Sequence, residues 1–285
     1  MFHVEPPKQA IRVAHPKDHL VSQASFEVWL NPATQIAQTH PRPANDQLAQ
    51  YYISEEYISH GIQGKSLLDK IYGFVQTIMF VKKRKWLAPY LSAEKKYMDF
   101  GCGTGALVDY LQKKGWDAHG VEPSEKARNV FSNQKIVASI EDIVEKDFDT
   151  IALWHVLEHL PDPIKKLRQL VGLLSQNGKL FIAVPNYNSW DANHYKDFWA
   201  AYDVPRHLWH FSYKGLDQLA QELNMKIVLK KALFFDALYV AYLSEKHSGK
   251  SFSLLRGIVK GLFSNANAMF TGEYSSLLVV LEKRS

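Results

Sequence analysis

The segment that most constrains the fold is residues 96–106, where a short apolar strand runs into a glycine-rich turn and then into a helix. The glycines stand at alternate positions, Gly101, Gly103 and Gly105. Glycine permits positive φ and lets a ligand approach the backbone more closely than any Cβ would allow. The following helix, predicted over residues 106–114, points its free N–H groups at the same place. The segment therefore predicts a nucleotide-type binding site at the end of a strand.

The next predicted strand, residues 116–122, ends in an acid, Glu122, followed by Pro123. An acid at the tip of the second strand of a doubly wound sheet can accept hydrogen bonds from both hydroxyls of a ribose. Asp99, two residues before the first glycine, could hold the loop or meet an ammonium group. The dinucleotide pattern Gly-x-Gly-x-x-Gly fits less well, because its last position falls on Ala106.

Residues 99–105 and the acid at 122 resemble the first two motifs of the class I S-adenosylmethionine-dependent methyltransferases. The resemblance covers about residues 45–232 and implies an α/β, Rossmann-like, doubly wound fold. Its sheet would have seven mostly parallel strands with an antiparallel last strand at residues 276–282, and S-adenosyl-L-methionine would be the cofactor. The implied cofactor contacts are Asp99, Gly101, Cys102, Gly103, Glu122, Pro123, Ile140, Glu141, Trp154 and His155, with Tyr57 and His60 added from a polar aromatic loop. That loop could equally be an ordinary connection between helices.

A predicted fourth strand, residues 148–154, leads into His155, Glu158 and His159 at the carboxyl edge of the sheet, where such folds bind ligands. Two histidines four residues apart can share a helix face, but the zincin pattern needs Glu directly after the first His, and Val156 stands there. No metal is therefore expected. The segment resembles the fourth motif of small-molecule methyltransferases, which implies that His159 lies near the acceptor.

An aromatic segment, residues 187–212, resembles a substrate lid and holds three further candidates. Arg206 could bind a carboxylate or phosphate of the acceptor. His207 and His210, like His159, could take a proton at neutral pH. The alternative is that these residues fasten the loop by hydrogen bonds.

The chain divides into three predicted parts. Residues 1–45 form a small amino-terminal extension, residues 46–92 a helical cap, and residues 93–285 the methyltransferase core with a helical insertion at 233–275 before the last strand. The extension resembles the zinc-ribbon segment of the ubiquinone-biosynthesis-methyltransferase-like branch. Cys102 is the chain's only cysteine, which excludes a thiolate zinc cluster, so a metal-free β-hairpin is expected. The basic run at 82–85 is predicted to be a solvated helix end.

Composition restricts the partners. A charge of +5, spread along a chain that is 46% hydrophobic, is typical of a mildly basic enzyme and does not call for nucleic acid. The chain shows no signal-peptide core and no run of membrane-span length, so a cytoplasmic location is expected. The amphipathic, basic stretch 252–263 could lie on a membrane surface, form a mouth for an apolar substrate, or pack on the domain or on a second subunit.

These features predict methyl transfer to a small-molecule acceptor, such as O-methylation of an aromatic, sugar or quinone-like compound. A nicotinamide-dependent oxidoreductase would use the same glycine turn, but no tyrosine–lysine hydride site is evident. A non-catalytic cofactor-binding module of the same fold stays open. Nucleic-acid methylation is weakened, because the fourth strand ends in Leu153-Trp154-His155 rather than in an Asn/Asp-Pro-Pro-aromatic motif.

Overall fold

The computed structural model describes residues 9–44, 46–52, 67–130 and 133–284. The amino-terminal elements are β1 (Ile11–Ala14), β2 (Glu27–Asn31), β3 (Ile36–His40), a 3₁₀ turn (Leu48–Tyr52) and helix α1 (Leu67–Leu87). The first half of the core holds β4 (Lys96–Phe100), α2 (Ala106–Gln112), β5 (Asp117–Val121), α3 (Glu125–Arg128), β6 (Ile136–Val137), β7 (Phe148–Trp154), α4 (Pro163–Leu173) and β8 (Leu174–Pro185). The second half holds α5 (Trp190–Tyr195), β9 (Trp209–His210), α6 (Tyr213–Glu222), β10 (Met225–Ala232), α7 (Phe234–His247), α8 (Ser253–Thr271) and β11 (Ser276–Lys283).

The large sheet has seven strands in the order β10-β11-β8-β7-β4-β5-β6. β11 runs antiparallel to both of its neighbours, and the pairs among the other strands are parallel. The run Leu180–Val184 in the middle of β8 is fully buried, as expected for a parallel strand covered on both faces. The predicted fold class is therefore confirmed. The strand order reverses at β4, so the carboxyl ends of β4 and β7 flank the crevice where such sheets bind ligands.

A second, smaller sheet joins the amino-terminal extension to the predicted lid. Its order is β1-β2-β3-β9, so the strands of the amino-terminal extension pair with a short strand from the predicted lid. The extension therefore forms more than the predicted hairpin, because Ala37 and Gln38 of β3 also pair with β9. Trp199 and Trp209 are buried, which makes much of segment 187–212 a packed part of the fold. The resemblance of the amino-terminal extension to a zinc ribbon stays a prediction.

Three elements are unusually short or long. The helix after β5 is only Glu125–Arg128, capped by the Ser124 side chain, which accepts from the Ala127 N–H. β8 is 12 residues long and begins at Leu174, which already pairs with Phe148 of β7. α1 has 21 residues and ends at Leu87, with Arg84 and Lys85 of the basic run in its last turn, so the run lies near the end of the helix.

The insertion before β11 forms a helical hairpin from α7 and α8. The buried residues of α8 are small: Gly257, Gly261, Ser264 and Ala268. A Cβ on Gly261 would lie 2.7 Å from the Ala237 carbonyl oxygen of α7, so only glycine allows this approach. Among the described residues, no helix combines the length and the apolar character needed to cross a bilayer.

Candidate active site

The glycine loop after β4 combines packing positions with an open one. Gly101, Gly103 and Gly105 have φ values of 76°, 55° and 79°, which favour glycine. A Cβ on Gly101 would lie 2.5 Å from the Val156 side chain, and one on Gly105 would collide with Ile136. A Cβ on Gly103 would meet no described atom within 4 Å. Gly101 and Gly105 therefore serve the fold, whereas Gly103 borders space that a ligand can enter.

Glu122, at the end of β5, holds this loop in place. Its Oε2 accepts a hydrogen bond from the Gly103 N–H at 3.0 Å, and its Oε1 accepts from the Ser124 N–H at 2.9 Å. Each carboxylate oxygen can accept a second bond, so the side chain remains able to receive ligand hydroxyls. Pro123 beside it is exposed.

Asp99 is a buried carboxyl at the end of β4. Its Oδ1 has no hydrogen-bond partner among the described residues. Burial raises the pKa of Asp99 to about 7, with the positive charge of Lys83 opposing the rise and Glu122 adding to it. Buried polar atoms are nearly always satisfied in proteins, so this oxygen is suited to a cationic ligand group.

Lys83 was missed by sequence reasoning, which placed it at a solvated helix end. Its Nζ lies 4.2 Å from the centroid of the Trp154 ring, a cation–π distance. Burial lowers the pKa of Lys83, whereas Asp99 and Asp236 raise it. The neighbouring Lys82 lies 4.6 Å from the Phe235 ring centroid. No pattern in the helix marks these two lysines, because the surfaces they contact belong to β7 and α7.

Cys102 packs as a small filler in the glycine loop. Burial, together with the nearby Asp99 and Glu122, raises the pKa of its thiol far above the usual range, so the sulfur stays protonated. A Cβ on Gly120 would lie 2.7 Å from Sγ, which shows how closely the sulfur fits against β5. The thiol is not placed to act as a nucleophile.

The turn after β6 contains two further candidate cofactor contacts, Ile140 and Glu141. A 3₁₀ turn spans Ile140–Asp142, and Asp142 accepts from the Ser139 N–H at 3.1 Å. The Ile140 side chain is buried in the main core cluster. Glu141 is exposed and accepts from Gln169 Nε2 at 3.3 Å. Their contact with a cofactor stays a prediction.

His155 follows β7 with a positive φ of 57°, and its N–H donates to the Ala183 carbonyl at 2.9 Å. Its Nε2 lies 3.0 Å from Asp236 Oδ2 and its Nδ1 lies 3.5 Å from Glu158 Oε1. Burial alone would lower the pKa of His155, but the ion-pair contacts with the carboxylates of Asp236 and Glu158 outweigh it and raise the pKa to about 10. His155 is therefore an imidazolium at neutral pH. The adjacent Trp154 donates its Nε1–H to the Tyr97 hydroxyl at 3.1 Å.

Glu158 is the centre of a cluster that the sequence did not predict as a unit. The side chain is 1% exposed, and its two oxygens have no hydrogen-bond partner among the described residues. Burial works to raise its pKa, but the surrounding His155, His207 and His159 lower it on balance. Ligand atoms of Glu158, His159 and His207 lie within 4.8 Å of one another, a spacing that could hold a cation. The expectation of no metal stays a prediction.

His159 and His207 meet edge to face, with ring centroids 4.6 Å apart. Burial, reinforced by the charge of His207, lowers the pKa of His159 to about 4, so its ring is neutral at pH 7. His159 Nδ1 lies 3.1 Å from both the Tyr52 hydroxyl and the Arg206 carbonyl oxygen. The His207 Nδ1–H donates to the Ala201 carbonyl at 2.9 Å. Two of the three predicted bases are thus together, beside a buried carboxylate.

Arg206 does not have the place expected of an acceptor anchor. Its Nε donates to Asp203 at 2.9 Å, and its NH2 group donates to Asp203 at 2.7 Å and to Asp18 at 3.0 Å. NH1 donates to the Tyr51 carbonyl at 3.1 Å. The guanidinium is 1% exposed and Asp18 is fully buried, so this group ties the small sheet to the core. The structure therefore argues against Arg206 as an acceptor anchor, because protein carboxylates already accept the bonds of its guanidinium group.

His210 is likewise placed in the fold rather than in the crevice. Thr39 Oγ1 donates its only proton to the His207 carbonyl at 2.6 Å, so it must accept from His210 Nε2 at 2.9 Å. Burial lowers the pKa of His210 well below its ordinary value. The structure therefore argues against His210 as the catalytic base. Tyr57 and His60 lie outside the described residues.

Comparison with known proteins decides the family. Residues 75–230, more than half of the chain, match a family model described as a methyltransferase domain. The chain belongs to this methyltransferase family. Membership confirms the resemblance to the class I enzymes and, at the level of the family, the expected cofactor, S-adenosylmethionine.

Curated relatives of this methyltransferase match over a shorter stretch. A ubiquinone biosynthesis O-methyltransferase of Coxiella burnetii is 34% identical over 105 residues, which are 33% of this chain and 45% of that protein. The enzyme of the same name from Histophilus somni is 32% identical over 115 residues, 34% of this chain and 48% of that protein. The chain thus spans about half the length of the curated relatives it matches.

Solved structures with the same fold are remote in sequence. A magnesium protoporphyrin IX methyltransferase from Synechocystis has a TM-score of 0.54 at 13% identity, covering 84% of this chain and 100% of that one. A Haemonchus contortus phosphoethanolamine N-methyltransferase has a TM-score of 0.53 at 14% identity, covering 87% of this chain and 63% of that one. At such identities the likeness concerns the fold alone.

Proposed function

We propose that this protein transfers the methyl group of S-adenosylmethionine to a small-molecule acceptor, with a hydroxyl of an aromatic or quinone-like compound as the accepting group. One observation carries the proposal. Asp99 with its unpartnered oxygen, Gly103 beside open space and Glu122 stand together at the ends of two adjacent strands. The names of the curated relatives support the finer part, the oxygen acceptor.

The cofactor supplies a methyl group that is already electrophilic, so the chain's task is to hold and orient. Glu122 is the residue suited to the ribose hydroxyls, because it is fixed by two backbone N–H groups and still has free lone pairs. Asp99 is suited to a cationic group, whose arrival would favour the ionised carboxylate. The other contacts inferred from the resemblance remain part of the proposal.

On the acceptor side, His159 is the base we favour. Its pKa of about 4 keeps the ring neutral and able to accept a hydrogen bond from a hydroxyl at pH 7. The buried Glu158 carboxylate would stabilise the imidazolium formed when the acceptor proton moves onto the ring. His207, whose Nε2 lies 4.0 Å from Glu158 Oε1, is the second candidate.

Calorimetric titration with S-adenosylmethionine and S-adenosylhomocysteine tests the cofactor assignment. Glu122→Ala should weaken binding by about 1–3 kcal/mol, or roughly fivefold to a hundredfold, the range for a charged hydrogen-bond partner. Glu125→Ala, an exposed acid on the neighbouring α3, is the matched control and should bind like the wild type. Binding of a reduced nicotinamide cofactor instead, or no binding at all, would contradict the proposal.

The acceptor assignment needs a separate assay with catechol-type and quinol-type phenols. His159→Gln should lower turnover about a hundredfold, as for loss of a general base, and leave cofactor affinity unchanged. His194→Gln alters an exposed histidine outside the cluster and serves as the control. Full turnover by His159→Gln at saturating acceptor would remove His159 from the mechanism.

A further inference from the structure

Helix α8 is amphipathic in the opposite sense from an ordinary surface helix. Such helices bury a large apolar stripe against the core and expose polar side chains. α8 instead packs through its small residues. A Cβ on Gly257 would collide with the Tyr242 backbone of α7, and one on Gly261 would lie 2.7 Å from the Leu238 Cα. The close packing of α8 on α7 therefore uses none of the large side chains of α8.

Those large side chains are exposed. They recur in adjacent pairs at intervals of four or seven residues, about one or two helical turns, which places them on one face: Leu254, Leu255, Ile258, Val259, Leu262, Phe263, Met269 and Phe270. The exposed fraction ranges from 41% at Ile258 to 92% at Phe270. A contiguous exposed apolar surface of this kind usually marks a site of interaction with a protein or a membrane. We call these eight residues the α8 apolar face.

The charged residues within α8 and the turn before it are cations. From residue 246 to residue 272 the sequence has no Asp or Glu, and its charged residues are Lys246, Lys250, Arg256 and Lys260. Lys250 is exposed, and Arg256 lies over the buried Glu245 at 2.7 Å. A second copy seated on the same face would bring two sets of cations together. An anionic surface is the complementary partner.

The length and polarity of α8 indicate how the helix would lie on an anionic surface. The helix has 19 residues, which correspond to about 28 Å at 1.5 Å per residue. Among the described residues, no helix has the character of a membrane span. An amphipathic helix with a broad apolar face and flanking Lys and Arg lies in the plane of a bilayer surface.

We propose that the α7–α8 hairpin docks this protein on an anionic lipid bilayer, with the α8 apolar face among the headgroups and upper acyl chains and the neighbouring cations on the lipid phosphates. The proposal is independent of methyl transfer, because it rests on a surface outside the candidate active site and its test needs neither cofactor nor acceptor.

Cosedimentation with vesicles provides the test. The full chain should sediment with phosphatidylcholine vesicles that contain phosphatidylglycerol, and less with phosphatidylcholine alone. Leu255→Glu with Leu262→Glu should weaken binding on the order of a hundredfold, since each change removes apolar burial from the bilayer. Val144→Glu is the matched control, because Val144 is 86% exposed but lies outside the hairpin. Lys250→Gln should weaken binding to the anionic vesicles about fivefold.

Circular dichroism shows whether each variant is folded, and light scattering reports its mass. Vesicle binding that the double glutamate variant retains would overturn the proposal. So would a wild-type dimer that fails to bind vesicles and that the same variant dissociates, because the face would then join two copies. Loss of vesicle binding by a folded double variant, with Val144→Glu unchanged, is the expected result.

Discussion

At the carboxyl ends of β4 and β5, the described chain leaves one buried oxygen without a partner and one glycine with open space beside it. Between β7 and β9, the polar groups are mostly bonded to other parts of the chain. Asp99 keeps an unpartnered oxygen and Gly103 has an open side. Arg206 and His210 are enclosed by protein acceptors. The difference teaches that chemically suggestive residue types become candidate site residues only where the fold leaves their functional atoms uncommitted.

The largest expected effect is on the stability of the region between β7 and β9, where Arg206 is enclosed. Arg206→Ala would leave Asp18 as a buried carboxylate without its cation, so we expect a loss of about 3–5 kcal/mol in the free energy of unfolding. Urea denaturation measures it. Arg168→Ala, which removes an exposed pair with Glu222, should cost less than about 1 kcal/mol. Unchanged stability with a raised KM for the acceptor would return Arg206 to the role of substrate anchor.

Two glycines of the loop after β4 should respond differently to an added Cβ. Gly101→Ala combines an unfavourable positive φ with overpacking against Val156, so it should destabilise the fold by about 2–4 kcal/mol. Gly103→Ala has the φ cost of about 1–2 kcal/mol but no described neighbour to displace. Thermal unfolding separates the two. Cofactor titration of Gly103→Ala should show a marked loss of affinity, and normal affinity would mean that the ligand lies elsewhere.

The sequence could predict the open side because its geometry is local. Asp99, the three glycines and Glu122 lie on two consecutive strand ends whose backbone is fixed by the turn itself, and the strand order follows from the fold class. The partners of the enclosed side come from remote segments. Asp18 reaches Arg206 from before β2, and residue type alone does not tell a ligand carboxylate from a protein one.

The same limitation explains the other misses. The two-residue strand β9 has too little pattern to predict its pairing with β3. The sequence predicts a solvated helix end at Lys83, because nothing within α1 shows that Trp154 lies against it. Asp236 belongs to the insertion, and its contact with His155 exists only because α7 begins beside the end of β7.

Asp99 should make cofactor affinity depend on pH. With a pKa of about 7, the carboxyl is mostly protonated at pH 6 and mostly ionised at pH 8. If the ionised form meets a cationic group, the affinity for S-adenosylmethionine should rise about tenfold between these pH values. Calorimetry across this range measures the change. Asp99→Asn should bind weakly with no such rise, and a wild-type affinity that does not vary with pH would contradict this role.

The smallest effect concerns His155, which stands between the two regions. Its pKa in the folded protein is about 10, above the ordinary value of 6.5, so its ion pairs stabilise the fold fully below pH 6.5 and lose their effect as the pH rises towards 10. Because the side chain is 39% exposed, we expect only about 1 kcal/mol. Asp236→Asn should remove most of this pH dependence in urea denaturation. Equal slopes for both proteins between pH 6.5 and 10 would show that the pair contributes nothing.

Hydrogen–deuterium exchange with and without S-adenosylhomocysteine tests the central claim most directly, because it compares both regions in one experiment. Binding at the ends of β4 and β5 should slow exchange of the amides at 101–105, 122 and 124. It should leave the amides at 206–210, which the fold already encloses, unchanged. Slower exchange confined to 206–210, or unchanged exchange at 101–105 under saturating ligand, would contradict the account.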